Sequence, residues 1–164
     1  DAHWMVYDRA NATIDQVKSA ARRMVLMHGC DIVFVDYLQL ITGAAKGEKR
    51  FDHITNVSMQ LKQLARDLNV PVVATAQLNR DTENKRPTMS NLRDAGQIEQ
   101  DADAIMLLHR PNREEEMKSG ATVWGITLIV EKKRDGRTGD IQMMFNAPYV
   151  LFTEQARRDE DAEQ

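Results

Sequence analysis

A carboxylate closing an unbroken apolar run is the first residue here with chemistry to offer: Asp36 follows Ile32, Val33, Phe34 and Val35. A run apolar at every position suits a parallel strand covered on both faces by helices. The carboxyl ends of such strands open onto the ligand crevice of an α/β sheet. An acid at that place holds magnesium against nucleotide phosphates, and an acid that only caps a turn is the plainer reading of the same pattern. Gln77 closes a second such run, VVATA, so both side chains should reach one crevice. An amide touching both a phosphate and a mobile loop can report nucleotide, whereas taken alone it satisfies a loop backbone. Lys132 and Arg134 alternate along a strand end and therefore point to one side. Two adjacent cations neutralise charge on a transferring phosphoryl group, and an exposed basic hairpin is the competing reading. The segment NLRDAGQIEQDAD, residues 91–103, is too polar for a core. Arg93 and neighbouring backbone N–H groups suit a phosphate chain, and Gly96 lets backbone approach a ligand; a solvated loop is the alternative.

These residues need elements to position them. Residues 4–7 form a short apolar run suited to a strand. Thr13 with Gln16 makes a capping box, and Ile14, Val17, Ala21, Met24 and Val25 follow at helical spacing, which predicts a helix over 13–28 stopped by Gly29. After the strand that ends at Asp36 comes a glycine-containing basic loop, residues 42–50. Ile54, Val57, Leu61, Leu64 and Leu68 then mark a second helix, and residues 71–76 a second buried strand. Strand, helix, strand, helix, strand in this order implies right-handed crossovers and a mostly parallel central sheet. Residues 102–109 supply one more strand and residues 111–120 a charged loop. Residues 122–130, 141–145 and 149–152 read as strands joined by turns at Asp135 with Gly136 and at 146–148, so the sheet should finish in an antiparallel meander.

The chain has 164 residues, 42% apolar and 29% charged, which suits one domain with a sizeable core. No apolar run approaches the roughly 18 residues of a membrane span, and no charged-then-apolar leader opens the chain, so the expectation is a soluble intracellular protein without membrane contact. A net charge of −3 argues against coating nucleic acid with the whole surface but leaves room for a local basic contact. Lys132, Lys133, Arg134 and Arg137 form such a cluster. Cys30, the single cysteine, precedes an apolar strand and reads as a buried or half-buried thiol. His3, His28, His53 and His109 lack metal-ligand spacing, which argues against a metal held by protein groups alone. Residues 154–164 carry five acids and two arginines and read as a disordered acidic tail.

Four blocks together resemble the DnaB-type replicative helicases, hexameric motors with a RecA-like ATPase domain: IVFVDYLQLI, VPVVATAQLNRD, KRPTMSNLRDAGQIEQDADAIMLLHR and EKKRDGRTGDIQMMF. Order and spacing agree with the family over residues 31–145, and more weakly over the first thirty. The resemblance implies an α/β fold of the RecA-like P-loop NTPase type, with residues 1–153 forming part of that ATPase domain. It implies that Asp36 is the Walker B acid that holds magnesium and that Gln77 is the sensor coupling the γ-phosphate of ATP to the DNA loop. Arg93, Asp94 and Gly96 match the loop that grips single-stranded DNA through its phosphates. Lys132 and Arg134 match the lysine and arginine donated across a subunit interface to the neighbour's ATP. Mg2+ and ATP are the implied cofactors. The implied partners are single-stranded DNA, further copies in a ring hexamer, a primase and a helicase loader. Travel 5′ to 3′ and a place in the cytoplasm of a bacterial cell or phage-infected host are inherited from the family in the same way.

The sequence also departs from the family pattern. It holds no G-x-x-x-x-G-K-[ST] loop to wrap the phosphates, and the glutamate that activates water in the family lies upstream of the region matching residue 1. A first residue of Asp1 rather than methionine favours a piece of a longer chain, one that hydrolyses no ATP by itself. Asp94 and Ala95 replace a common Glu-Ser pair, and Arg137 stands where the family usually has proline. Three readings follow. The first is the carboxyl-terminal part of a replicative helicase that couples ATP hydrolysis to translocation and strand separation. The second is a non-catalytic DNA-binding or assembly subunit that supplies an arginine finger in trans. The third is a recombinase-like ATPase on the same scaffold.

Overall fold

The computed structural model describes residues 3–44, 49–79, 85–92 and 95–154. The chain divides into two compact units, the first drawn from residues 1–79 and 92–102 and the second from residues 80–91 and 103–164.

In the first unit, α1 (Ile14–His28) begins where the capping box predicts. The Thr13 N–H donates to Gln16 Oε1 at 3.1 Å and the Gln16 N–H donates to Thr13 Oγ1 at 3.4 Å, which satisfies two otherwise orphaned helix donors. Gly29, at φ +69°, ends the helix in the left-handed conformation, and its N–H donates to Val25 O at 3.0 Å. The second helix, α2 (Arg50–Leu68), buries Ile54, Val57, Leu61 and Leu64 in the stripe that their spacing predicts. Polar bonds between the two helices border this core: Lys18 Nζ donates to Gln60 Oε1 at 2.7 Å, and Arg22 donates to Asp67 at 3.0 Å. Between the helices runs β1 (Val33–Val35), and after α2 comes β2 (Val72–Ala74). The two strands pair in parallel, Val33 with Val72 and Val35 with Ala74. A short helix, α3 (Ala95–Asp101), completes the unit. Ile98 is buried on it, and Ser58 Oγ of α2 donates to Asp101 Oδ2 at 2.8 Å.

The second unit is an antiparallel meander. β3 (Ala104–His109), β4 (Val123–Lys133), β5 (Gly139–Asn146) and β6 (Leu151–Glu154) lie side by side in chain order. One face carries the rings of Trp124, Phe145 and Phe152, tilted against one another with centroids 5.3 and 4.5 Å apart at successive pairs. Leu107 and Ile129, directly paired, are buried on the opposite face. α4 (Arg113–Ser119) is clamped to β4. Its Glu116 accepts from Arg110 Nε at 2.6 Å and from the Gly125 N–H at 2.9 Å, while the Arg110 guanidinium lies 3.7 Å above the Trp124 ring.

Five sequence expectations are corrected here. The strand expected over 102–109 pairs antiparallel with β4 instead of extending the parallel sheet, because an apolar run names no partner. Among the described residues the parallel strands are not covered on both faces: Phe34 is 56% exposed and Val73 42%. Residues 4–7 form no strand, although Trp4 packs its ring 6.3 Å from that of Phe34. The charged segment after Pro111 is the helix α4, since three acids in a first turn and glycine at the stop are helix signals. Residues 95–101, read as polar loop, are α3, its carboxyl end tied down through Asp101. The expected meander and the two long helices stand, with β4 running three residues beyond its expected end at Val130. Cys30 is half-buried as expected, its Sγ 3.7 Å from Met5 Sδ. Residues 155–164 of the expected tail lie outside the described residues, and Glu154 ends β6.

Candidate functional site

Asp36 leaves the carboxyl end of β1 exposed to solvent, and the peptide bond to Tyr37 is cis. The neighbouring parallel strand braces it. Thr75, one residue past β2, donates its hydroxyl to Asp36 Oδ1 at 2.6 Å. The Thr75 N–H donates to Val35 O at 3.0 Å, and its carbonyl accepts the Leu38 N–H at 3.0 Å. Exposed and held in one orientation, the carboxylate is a hard oxygen ligand of the kind Mg2+ uses alongside substrate phosphates.

Gln77 emerges two residues beyond Thr75, so Asp36 and Gln77 stand at the ends of adjacent strands, as their apolar runs predict. The Gln77 side chain is exposed, and its backbone N–H donates to Gln39 Oε1 at 3.4 Å. The next residue, Leu78, forms an isolated antiparallel bridge with Leu92. That bridge ties the residue after Gln77 to the residue before Arg93. Arg93 and Asp94 themselves lie outside the described residues. Gly96 lies in the first turn of α3, exposed, and among the described residues a Cβ built on it would have only Phe51 Cζ within reach, at 4.0 Å.

Lys132 is half-buried in β4, opposite Ile105. Just before it the ladder slips: Met106 pairs with Val130 and Ile105 with Lys132, so Glu131 is the extra residue of a β-bulge. Bulges next to functional residues re-aim the side chains that follow. The ladder continues one residue past β4, where the Arg134 N–H donates to Asp103 O at 2.9 Å and its guanidinium pairs with Asp103 Oδ1 at 3.3 Å. Beyond it, Gly136 at φ +154° turns the hairpin with the Lys133 stem against it, 2.8 Å from where a Cβ would stand. Arg137 is exposed.

The structure thus brings Asp36 and Gln77 together in the first unit, and Lys132 and Arg134 together in the second. Sequence reasoning missed Thr75, Gln39 and Asp103. Thr75 was legible in principle, as the one hydroxyl in the VVATA run; Asp103 was not, because its partner lies 31 residues away in a pairing the sequence left open. Elsewhere in the second unit, Arg86 holds Asp140 in a bidentate pair at 2.6 and 2.7 Å, which keeps that carboxyl below its usual value. Burial, and then the positive charge of Arg86, lower the pKa of His109.

The chain matches the DnaB-like helicase C-terminal domain family over residues 1–154. It is 38% identical over 159 residues to the replicative DNA helicase DnaB of Leifsonia xyli, covering 95% of this chain and 34% of that protein. Against the DnaB of Geobacillus stearothermophilus it is 36% identical over 163 residues, with 95% and 35% covered. Among solved structures, a DnaB-like replicative helicase solved for its interactions with primase matches at a TM-score of 0.79 and 33% identity, covering 91% of this chain and 36% of that one. A separately solved ATPase domain gives the same TM-score and identity, with 54% of its chain covered. The chain therefore spans about a third of the length of the curated relatives it matches.

Proposed function

Because the chain belongs to the DnaB-like helicase C-terminal domain family, we propose that it is part of the ATPase motor of a replicative DNA helicase, in which ATP hydrolysis drives translocation on single-stranded DNA and duplex unwinding. The observation that carries this reading is the braced carboxylate at the end of β1: Asp36 held by Thr75, with Gln77 leaving the adjacent strand. Asp36 is the residue that would hold Mg2+, which when bound supplies positive charge against the transferring phosphoryl group. A single carboxylate suffices, since Mg2+ completes its shell with water and phosphate oxygens.

Gln77 senses the γ-phosphate and passes its state through the Leu78–Leu92 bridge to the loop at Arg93, Asp94 and Gly96, which holds one DNA strand by its phosphates. Contacts of that kind are independent of sequence, as a translocating motor requires. Lys132 and Arg134 act on the ATP of a neighbouring copy, so catalysis belongs to the ring and not to one chain. Preorganised cations at that place stabilise charge that develops only in the transition state. The phosphate-wrapping loop and the water-activating glutamate are not among these 164 residues, so this stretch by itself hydrolyses no ATP. A primase is a natural partner, given the related helicase solved for that interaction.

The test uses the gene product that carries this sequence. Single-stranded DNA should stimulate its ATPase, and Asp36→Asn should abolish hydrolysis and fork unwinding while sparing DNA binding. Normal hydrolysis by Asp36→Asn would refute the assignment.

A further inference from the structure

We infer that Asp103 is the positioning residue for Arg134, fixing where its guanidinium is presented. The inference rests on the proposed role of Arg134 and adds a residue to it.

Arg134 lies in the turn just past β4, where the ladder runs out. Two contacts from one residue hold it there. The carbonyl of Asp103 accepts the Arg134 N–H at 2.9 Å, which fixes the backbone, and Asp103 Oδ1 lies 3.3 Å from the guanidinium, which biases the side chain. The bulge at Glu131 sets this register, since without the extra residue β4 would meet Asp103 one position out of step. Both side chains are largely exposed, at 46% and 62%, so the ion pair adds little to stability. Its consequence is orientation: a long cationic side chain is confined toward one direction, and a guanidinium carries more N–H donors than one carboxylate engages.

The experiment compares Asp103→Ala, Asp103→Glu and Arg134→Ala in the gene product that carries this sequence, measuring kcat and KM for ATP with and without oligo(dT). A positioning role predicts that Asp103→Ala lowers the DNA-stimulated kcat by about two- to fivefold with KM unchanged, the population shift that an exposed ion pair supports. It also predicts partial recovery with Asp103→Glu. If Arg134→Ala is inactive and Asp103→Ala is normal, the positioning role is wrong and the arginine reading survives. If Arg134→Ala is itself active, the arginine reading fails. A loss of kcat and thermal stability together, in both Asp103 variants, would make Asp103 merely structural and overturn the inference.

Discussion

Replacing Ser58 by alanine should loosen α3 while leaving the rest of the core intact. Ser58 is only 9% exposed, and its hydroxyl donates to Asp101 Oδ2 at 2.8 Å; Gln97 Nε2 donates to the other oxygen at 2.9 Å. A hydrogen bond to a charged acceptor is worth about 1.5 to 3 kcal/mol, and its loss leaves a carboxylate oxygen poorly solvated. Alanine gains back about 0.5 kcal/mol through its better helix propensity inside α2. The net destabilisation should therefore be about 1 to 2.5 kcal/mol. Urea unfolding measures it, and a double-mutant cycle with Asp101→Asn cancels the propensity contribution and isolates the coupling. Amide exchange in residues 96–101 should accelerate, and on the proposed DNA role of Arg93, Asp94 and Gly96 the affinity for oligo(dT) should fall, because α3 directly follows Asp94 in the chain. A coupling below about 0.3 kcal/mol with unchanged α3 exchange would refute the anchoring role of Asp101.

Three further outcomes follow from the same structure. Burial alone would raise the Glu116 carboxyl, but the bonds from Arg110 and the Gly125 N–H outweigh it and hold the folded value below the ordinary one. The stabilisation is thus present above the unfolded value and lost as pH falls through the folded one, so urea midpoints should drop between about pH 5 and pH 3 by less in Glu116→Gln than in the parent. Leu64→Ala, at a fully buried position of α2, should cost about 3 kcal/mol by the same assay, whereas Leu40→Ala, 55% exposed, should stay near neutral. Arg93→Ala should weaken single-strand binding equally for all base compositions and reduce the salt slope by about one unit; a lost base preference would contradict a phosphate contact.

The two long helices were legible because a capping box and a clean apolar stripe are local signals, and both reappear in the bonds at Thr13 and the burial of Leu64. Asp36 and Gln77 were legible for a similar reason, each ending an apolar run whose parallel pairing brings them together. Strand partnership was not. The run AIMLL fits a parallel or an antiparallel neighbour equally, and only the 11-residue β4 decides it. The polar stretch at 95–101 misled because its one large apolar residue, Ile98, is too sparse for a periodicity argument, while its anchor is a serine in another helix. Asp103 escaped notice because its role depends on register, and register turned on a bulge that leaves no mark in residue type.

The most direct measurement mixes two variants of the gene product that carries this sequence, each expected to be inactive alone: Asp36→Asn, which keeps the proposed arginine finger but loses the proposed magnesium ligand, and Arg134→Ala, which keeps that ligand but loses the finger. In a ring of head-to-tail interfaces, random mixing restores both partners at about a quarter of the sites. DNA-stimulated hydrolysis in the mixture should therefore rise well above that of either variant alone. A mixture no more active than its components, under conditions where subunits exchange, would contradict an active site shared between neighbours.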